Sequence, residues 1–210
     1  MRLNIHPVNR LQLGVVEPMA TLPKHYITPE EYLELERQAP FKSEYVNGEM
    51  FAMAGARENH ALLVTNLVRE LSQKLRRGPC RVYSSDMRVC VSPTGRYTYP
   101  DVVVTCQKPQ FLDETNDTLM NPTLLIEVLS PSTQDYDRGG KFQSYRTLAS
   151  LEEYLTVAQD QVHIEQWHRQ PDGRWILTEY KAASSEIQLE SLGVSVALAD
   201  IYENVSIAPS

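Results

Sequence analysis

The sequence NPTLLIEVLSPSTQDYDRGGKFQSY, residues 121–145, contains the most apolar strand predicted in the chain. In residues 124–129 (LLIEVL) a strand's period of two places apolar side chains on both faces, which is typical of the centre of a sheet. An ionised Glu127 there is costly unless a cation or hydrogen-bond donors meet it. Two interpretations stay open: a metal or catalytic site, or a structural glutamate that pairs with a buried arginine or reaches solvent.

The segment after this strand predicts a break at a Ser-Pro-Ser-Thr sequence and then a helix over residues 135–148. Asp137, Lys141 and Tyr145 are spaced four residues apart, so they share one face of that helix. Two adjacent glycines inside it cost about 2 kcal/mol relative to alanines, which indicates a close approach of substrate or a strand to the backbone. The alternative for the three residues is a solvated ion pair beside an aromatic ring.

Composition places the chain among ordinary soluble globular proteins. It has 210 residues, of which 42% are hydrophobic and 22% charged, enough for one sizeable core. We expect an extended arm over residues 1–25, which prolines interrupt, and a single domain over residues 26–210. The sequence has no apolar run near the ~18 residues that span a bilayer and no apolar block of a signal peptide. We therefore expect a cytoplasmic protein without a membrane partner.

Three cysteines, Cys80, Cys90 and Cys106, lie far apart in strand-like segments. Their odd number and the lack of a CxxC spacing predict reduced, buried thiols rather than zinc ligands or disulfides.

Charge is unevenly distributed along the chain. The formal net charge is −7, yet residues 57–108 hold nine Lys or Arg against four acids, so that segment carries +5 and the remainder −12. A basic centre is typical of a cleft that admits a polyanion, although Lys74, Arg76 and Arg77 can also be explained as favourable charges at a helix C-terminus.

Local patterns predict the elements upstream of residue 121. Thr28 and Glu31 form a capping box for a helix that ends near residue 38, and Asn-Gly at 47–48 predicts a hairpin over residues 44–53. A helix over about residues 58–77, strands over 80–91 and 97–106, and a loop over 107–122 follow. Downstream of the 135–148 helix we expect a three-stranded meander over residues 153–181, short strands over 187–198 and a final helical turn.

Four polar residues in these elements are candidates for a site, each with a plainer alternative. Glu44 enters the hairpin and is a surface acid unless the fold brings it to Glu127. His60 lies on the buried side of its helix, where it meets a site or caps the core. Asp86 shares a strand face with Ser84 and Arg88, and Asp101 follows Pro100 where a sheet strand begins.

Motif searches exclude several enzyme classes. The sequence contains neither a GxxxxGK[ST] phosphate-binding loop nor a GxGxxG fingerprint, so kinase, NTPase and dinucleotide-binding functions have no support.

From about Thr28 to Glu203 the chain resembles the PD-(D/E)XK nuclease superfamily, and most closely its Uma-type branch, whose function is largely unknown. The resemblance rests on Pro100-Asp101, on Glu127 26 residues after Asp101, and on Lys141 in the following helix. The matching blocks occur in the matching order: TPEEYLEL, EYVNGEM, ENH, YSSDMRV, YPDVVV, LLIEVLSPST and DRGGKFQSY. Each block is short, and the ordered set is specific.

The resemblance implies an α/β (α+β) fold with a restriction-endonuclease-like αβββαβ core. Its central mixed sheet is flanked by helices, with an added N-terminal hairpin and a C-terminal meander. It implies Asp101 and Glu127 as ligands of Mg²⁺ (or Mn²⁺) and Lys141 as the catalytic lysine. The surrounding shell that it implies consists of Glu44, His60, Asp86, Asp137 and Tyr145.

One position departs from the common pattern of the superfamily. A lysine is expected two residues after the acid, but that position is Leu129. Members of the Uma-type branch place the lysine on the following helix, and Asp137-x-x-x-Lys141 fits that arrangement.

The leading hypothesis is a Mg²⁺-dependent endonuclease that hydrolyses phosphodiester bonds in DNA, with a homodimer implied by the resemblance. The first alternative is a nuclease-fold protein that has lost catalysis and binds nucleic acid or a protein partner, which Leu129 and the acidic surface favour. The second is a structural assembly protein in which Glu127 pairs with an arginine such as Arg88.

Overall fold

A computed structural model describes residues 26–92, 95–130 and 137–207 of the chain. The expected N-terminal arm, residues 1–25, lies outside the described residues. So do most of the expected strand break and the first two residues of the expected 135–148 helix.

The described helices and strands alternate along the chain and are numbered in chain order. They are α1 (Pro29–Gln38), β1 (Ser43–Val46), β2 (Glu49–Ala52), α2 (Glu58–Leu75), β3 (Arg81–Ser84), β4 (Arg88–Ser92), β5 (Arg96–Thr98), β6 (Val102–Thr105), β7 (Thr118–Leu119), β8 (Leu124–Leu129), a π-helical turn (Asp137–Lys141), α3 (Phe142–Tyr145), β9 (Glu153–Ala158), β10 (Ile164–Arg169), β11 (Trp175–Tyr180), β12 (Glu186–Leu189), β13 (Val194–Ala197) and α4 (Leu198–Ile201).

A six-stranded mixed sheet with the order β11-β10-β9-β8-β6-β3 forms the centre of the fold. Strand β8 lies inside it, antiparallel to β6 and parallel to β9, as its two apolar faces predict. On one face, Leu124, Ile126 and Val128 pack against the leucine stripe of α2. On the other face, Leu125 packs with aromatic residues of α3 and β9. Glu127 shares this second face.

A five-stranded sheet with the order β2-β1-β5-β4-β7 forms a further layer. Its β1–β2 hairpin turns at Asn47 and Gly48, which have φ angles of 48° and 93°, so the Asn-Gly prediction is confirmed. The predicted capping box of α1 is also present. The two sheets, with α2 outside the larger one, give the mixed α+β architecture that the sequence predicts.

The chain passes between the two sheets twice where continuous strands were predicted. Residues 80–91 are split because β3 belongs to the six-stranded sheet and β4 to the five-stranded sheet, with a turn at residues 85–87. Residues 97–106 are split in the same way, since β5 and β6 lie in different sheets. Pro100 and Asp101 occupy this second passage, which puts Asp101 at the start of β6.

The helix expected over residues 135–148 is shorter and differently wound. Its described part is a π-helical turn over Asp137–Lys141 followed by α3, which ends at Tyr145 rather than Leu148. The Gly139-Gly140 pair lies in the π turn, where glycine tolerates departures from α geometry.

The cysteine prediction is wrong for two of the three residues. Cys80 and Cys106 form a disulfide, whereas Cys90 is free and buried. Arg81 pairs with Thr105 across β3 and β6, so the flanking cysteines face each other where these strands meet. A separation of 26 residues gave no hint of this register.

The rest of the chain follows expectation with one addition. The meander β9–β10–β11, the β12–β13 hairpin and the final turn α4 are present. The loop over residues 107–122 contains β7, which pairs parallel to β4. Within the described parts of the chain, no helix combines the length and the apolar character needed to cross a bilayer.

Candidate active site

Glu127 lies near the carboxyl end of β8 and is 4% exposed. Its Oε1 accepts a hydrogen bond of 2.8 Å from the hydroxyl of Tyr145 and lies 3.2 Å from Nζ of Lys141. Glu127 and Lys141, which the resemblance places in one site, are therefore in contact. The buried carboxylate has the cation and the donor that its desolvation requires.

Lys141 is the centre of a buried ionic cluster and is 7% exposed. Its Nζ lies 3.1 Å from Glu44, 3.2 Å from Glu127 and 3.3 Å from Asp137. These acids come from β1, β8 and the π turn, so the cluster joins both sheets. The Glu44 side chain belongs to this site because the fold brings it to the Lys141–Glu127 pair.

Asp101 and His60 extend the cluster along the sheet edge. Oδ2 of Asp101 accepts a hydrogen bond of 2.8 Å from the backbone N–H of Val128, and Nε2 of His60 lies 3.2 Å from the same oxygen. His60 reaches this position from the first turn of α2 and is the partly exposed member of the group. We name the seven residues together the Lys141 cluster: Glu44, His60, Asp101, Glu127, Asp137, Lys141 and Tyr145.

Burial and an excess of carboxylates over cations shift the pKa values of the titratable groups in the cluster. Burial is the main reason that the pKa of the Glu127 carboxyl lies well above its usual range; the Lys141 ammonium lowers it and the surrounding carboxylates raise it again. Burial lowers the pKa of Lys141, but the three carboxylates around it outweigh burial and raise that pKa well above its usual value. Burial lowers the pKa of the His60 imidazole. The Asp101 carboxylate raises it by more, so the net shift of the His60 pKa is upward.

Two residues that contribute to the cluster were not predicted from the sequence. Thr98 Oγ1 lies 3.1 Å from the Tyr145 hydroxyl, and the Tyr154 hydroxyl donates a 3.0 Å hydrogen bond to the backbone oxygen of Asp137. Both are buried at strand positions whose neighbours are distant in sequence. The one available signal was the hydroxyl group of each within a strand-like segment.

Asp86 does not belong to the site, contrary to the prediction. It lies in the turn between β3 and β4, its side chain is 87% exposed, and it pairs with Lys42 at 2.9 Å. The chain passes between sheets here, so Ser84, Asp86 and Arg88 do not share a strand face.

Arg88 is not the partner of Glu127. Its Nη2 lies 2.9 Å from Asp117, and its other donors reach Thr118 Oγ1 at 2.9 Å and the Tyr99 hydroxyl at 3.1 Å. The structural alternative in which Arg88 neutralises Glu127 is therefore wrong.

The basic segment, residues 57–108, lines the Lys141 cluster only in part. His60 begins α2 beside Asp101, whereas Arg76 follows the end of that helix, about 24 Å away at 1.5 Å per residue. Arg77 continues toward the disulfide end of the sheet. These exposed cations lie where a helix C-terminus favours positive charge.

The donor set of the Lys141 cluster fits a hard divalent cation. It offers four carboxylates against one lysine and one histidine, and carboxylate oxygens are the ligands that Mg²⁺ and Mn²⁺ prefer. Two buried atoms in it, Nδ1 of His60 and Oδ1 of Asp137, have no hydrogen-bond partner, although the second lies 3.3 Å from Lys141. Asp101 and Glu127, which the family resemblance implies as metal ligands, remain the two candidates for that role.

Comparisons with known proteins agree with this architecture. The chain is 38% identical over 189 residues to the uncharacterized protein slr1290 of Synechocystis sp., covering 90% of this chain and 97% of that protein. It is 37% identical over 168 residues to sll1609 of the same organism, also uncharacterized, covering 80% of this chain and 95% of that protein.

A solved structure shares the fold. The crystal structure of a "putative nuclease belonging to DUF820" from Anabaena variabilis superposes with a TM-score of 0.70 at 16% identity, covering 84% of this chain and 97% of that one. Residues 29–199 match the Uma2 family, whose description is "Putative restriction endonuclease". The chain belongs to the Uma2 family of restriction-endonuclease-like proteins.

Proposed function

We propose that this protein is a divalent-metal-dependent endonuclease that hydrolyses phosphodiester bonds in DNA, with Asp101 and Glu127 holding Mg²⁺ or Mn²⁺. The observation that carries the proposal is the Lys141 cluster, in which buried carboxylates outnumber cations at the end of a central strand. Metal-dependent phosphodiester hydrolysis uses such an acidic centre because Mg²⁺ and Mn²⁺ are bound by oxygen ligands.

Family membership supports the same chemistry. The Uma2 description names a restriction endonuclease, and the Anabaena variabilis structure is described as a nuclease. The fold likeness covers 84% of this chain, and at 16% identity it shows the fold alone. The homodimer implied by the resemblance and the cytoplasmic location stay predictions.

A bound divalent ion would supply Lewis-acid polarisation of the phosphate and a lowered pKa for a coordinated water. Lys141 supplies the fixed positive charge that stabilises negative charge developing on the phosphate oxygens. Its ammonium can do so because the carboxylates around it keep it protonated.

The remaining residues of the cluster orient these groups. The Tyr145 hydroxyl holds Oε1 of Glu127 at 2.8 Å, and burial keeps the tyrosine protonated by raising its pKa. The Val128 N–H and His60 hold Oδ2 of Asp101. Because His60 is partly exposed while Lys141 and Glu127 are buried, the substrate approaches from the His60 and Asp101 side.

One observation favours a second candidate, a nuclease-fold protein that binds nucleic acid or a protein partner without cleaving it. The Lys141 ammonium lies within 3.3 Å of three carboxylates, so it must give up one of these contacts to meet a phosphate. If Lys141 keeps all three carboxylate contacts permanently, the protein has the nuclease fold but no cleavage activity.

Metal titration followed by thermal unfolding tests the proposal. Mg²⁺ or Mn²⁺ at 100 times its Kd should raise the free energy of unfolding of the wild type by about 2.7 kcal/mol, and much less in Asp101→Asn and Glu127→Gln. Cleavage of single- and double-stranded DNA should require the ion and should be lost in both variants. Asp86→Asn is the matched control, because this carboxylate is exposed and lies outside the cluster.

Equal metal-induced shifts in the wild type and both variants would contradict ligation by Asp101 and Glu127. Metal binding that depends on these residues but is never accompanied by cleavage would favour the second candidate.

A further inference from the structure

A second group of ligand-type side chains lies on the meander, outside the Lys141 cluster. Nε2 of His163 and carboxylate oxygens of Glu165 and Glu179 all lie within 4.8 Å of one another. Among the residues that the structure describes, this is the one group of three or more histidine, cysteine or acidic side chains gathered so closely.

Strand geometry explains why these three meet. His163 directly precedes β10 and Glu165 is its second residue, so the two side chains, two positions apart, point to the same face. Glu165 pairs directly with Glu179 of β11. Two like charges directly opposite each other destabilise an antiparallel pair unless a cation compensates them. The register thus places two carboxylates side by side, where positive charge must be supplied by the protein or by an ion.

Positively charged side chains of the protein already contact the carboxylates of Glu165 and Glu179. Arg138 Nε lies 2.9 Å from Glu165, Lys181 Nζ lies 2.9 Å from Glu179, and Nε2 of His163 lies 3.0 Å from the same Glu179 oxygen. The lysine is exposed and the arginine partly exposed, so both can turn toward solvent and leave the carboxylate oxygens to an ion. Thr156 Oγ1 donates a 2.9 Å hydrogen bond to Glu165, which fixes one ligand in place.

We propose that His163, Glu165 and Glu179 form a second metal site, which binds a borderline transition ion of the Zn²⁺ type. One imidazole and two carboxylates are ligands that Zn²⁺ accepts, and three protein ligands leave a fourth position open to water. The imidazole favours Zn²⁺ over Mg²⁺, which takes oxygen ligands. The proposal is independent of the nuclease function.

This site and the Lys141 cluster are neighbours on one face of the six-stranded sheet. Glu127 pairs with Thr156, Thr156 with Glu165, and Glu165 with Glu179. Two strand spacings of about 4.8 Å place the Glu165 backbone roughly 10 Å from that of Glu127. An ion bound here releases Arg138, the residue next to Asp137 in the π turn, so its binding is linked to the turn that carries Lys141.

The test is calorimetric titration of the full, chelator-treated, non-reduced chain with Zn²⁺, together with X-ray absorption spectroscopy of the loaded protein. We expect one Zn²⁺ per chain with nitrogen and oxygen ligands including an imidazole. His163→Ala should remove this binding, and Glu179→Gln should weaken it at least about tenfold, a loss of about 1.4 kcal/mol. Glu179→Gln changes an exposed side chain, so it keeps the test valid if His163→Ala does not fold.

Two controls separate this site from other ligands. His168→Ala alters another histidine on β10, which lies 3.5 Å from Glu190, and should leave the Zn²⁺ stoichiometry unchanged. Glu127→Gln should also leave it unchanged, since that residue belongs to the other cluster. The proposal is overturned if the wild type binds no Zn²⁺, if Glu179→Gln binds as tightly as the wild type, or if Zn²⁺ is lost only with Glu127→Gln.

Discussion

Two clusters of buried charge in this protein, one around Arg88 and one around Lys141, are built differently. Arg88 is 2% exposed, and oxygen atoms of Asp117, Thr118 and Tyr99 all accept from its guanidinium. A second arginine, Arg37, binds Asp117 at 2.8 Å and Asp113 at 2.6 Å. In the Lys141 cluster one ammonium faces three carboxylates, and two buried polar atoms lack a hydrogen-bond partner.

The ratio of acids to cations distinguishes a structural cluster of buried charge from one suited to bind an ion. A network whose charges and donors are matched holds α1, β4 and the loop before β7 together and has little capacity for another ion. A network with surplus carboxylates is poorly neutralised by its own chain, so it gains most from an external cation. Burial alone does not distinguish the two; the count of acids against cations does.

Removal of the arginine should give the largest effect on stability. Arg88→Met leaves Asp117, Thr118 and Tyr99 without their shared donor, so the free energy of unfolding should fall by about 3 kcal/mol or more. Urea unfolding measures this change. Arg174→Met is the matched control, because Arg174 pairs with Asp172 at the surface and should contribute less than about 1 kcal/mol. Similar small losses in both variants would show that the Arg88 cluster is not a stabilising network.

Removal of the lysine should affect catalysis rather than metal binding. Lys141→Ala should lower the rate of DNA cleavage by about 10² to 10³, because a fixed charge beside the scissile phosphate is lost. The thermal shift caused by Mg²⁺ should persist. Lys108→Ala removes an exposed lysine that belongs to neither cluster and serves as the control for rate. An unchanged rate in Lys141→Ala would remove this residue from the mechanism and leave only a structural role for it.

The two clusters should also respond to pH with opposite signs. Hydrogen bonds from Arg37 hold the pKa of Asp117 below its ordinary value of 3.8, so its stabilising contribution is complete above that pH and is lost on acidification. Burial holds the pKa of Glu127 above its ordinary value of 4.5, so its contribution is complete below that pH and is lost as pH rises through the folded-state pKa.

Unfolding free energies measured against pH in metal-free buffer check these signs. Relative to Asp117→Asn, the wild type should lose stability as pH falls. Relative to Glu127→Gln, it should lose stability as pH rises. The same sign in both comparisons would contradict the distinction between the clusters.

Local patterns predicted the parts of the site that depend on one element at a time. The apolar run around Glu127 predicted a central strand, and the spacing of Asp137, Lys141 and Tyr145 predicted a shared face even though the turn is π-helical. The family resemblance then joined Asp101 to them, and the structure brings His60 beside that carboxylate. The roles of these residues in metal binding and catalysis stay predictions.

The wrong predictions concern features that depend on contacts between segments far apart in the sequence. Asp86 was misplaced because a strand-like sequence gives no sign that the chain passes between sheets at that turn. The disulfide depends on the register of β3 against β6, which cysteine spacing does not encode. For Arg76 and Arg77 the sequence left a cleft and a helix C-terminus as alternatives, because it gives their charge but not which end of α2 faces the site.

The disulfide between Cys80 and Cys106 has a consequence for the unfolded chain. It closes a loop that spans 26 residues and contains β3, β4, β5 and β6, strands that belong to two different sheets. Closure of a loop of this length removes conformational entropy from the denatured ensemble worth roughly 3 to 4 kcal/mol in the chain-entropy treatment. In an unfolded chain that keeps this disulfide, the strands of both sheets are therefore held within one closed loop. The closed loop limits the conformations that the chain samples before Asp101 reaches its position in the site.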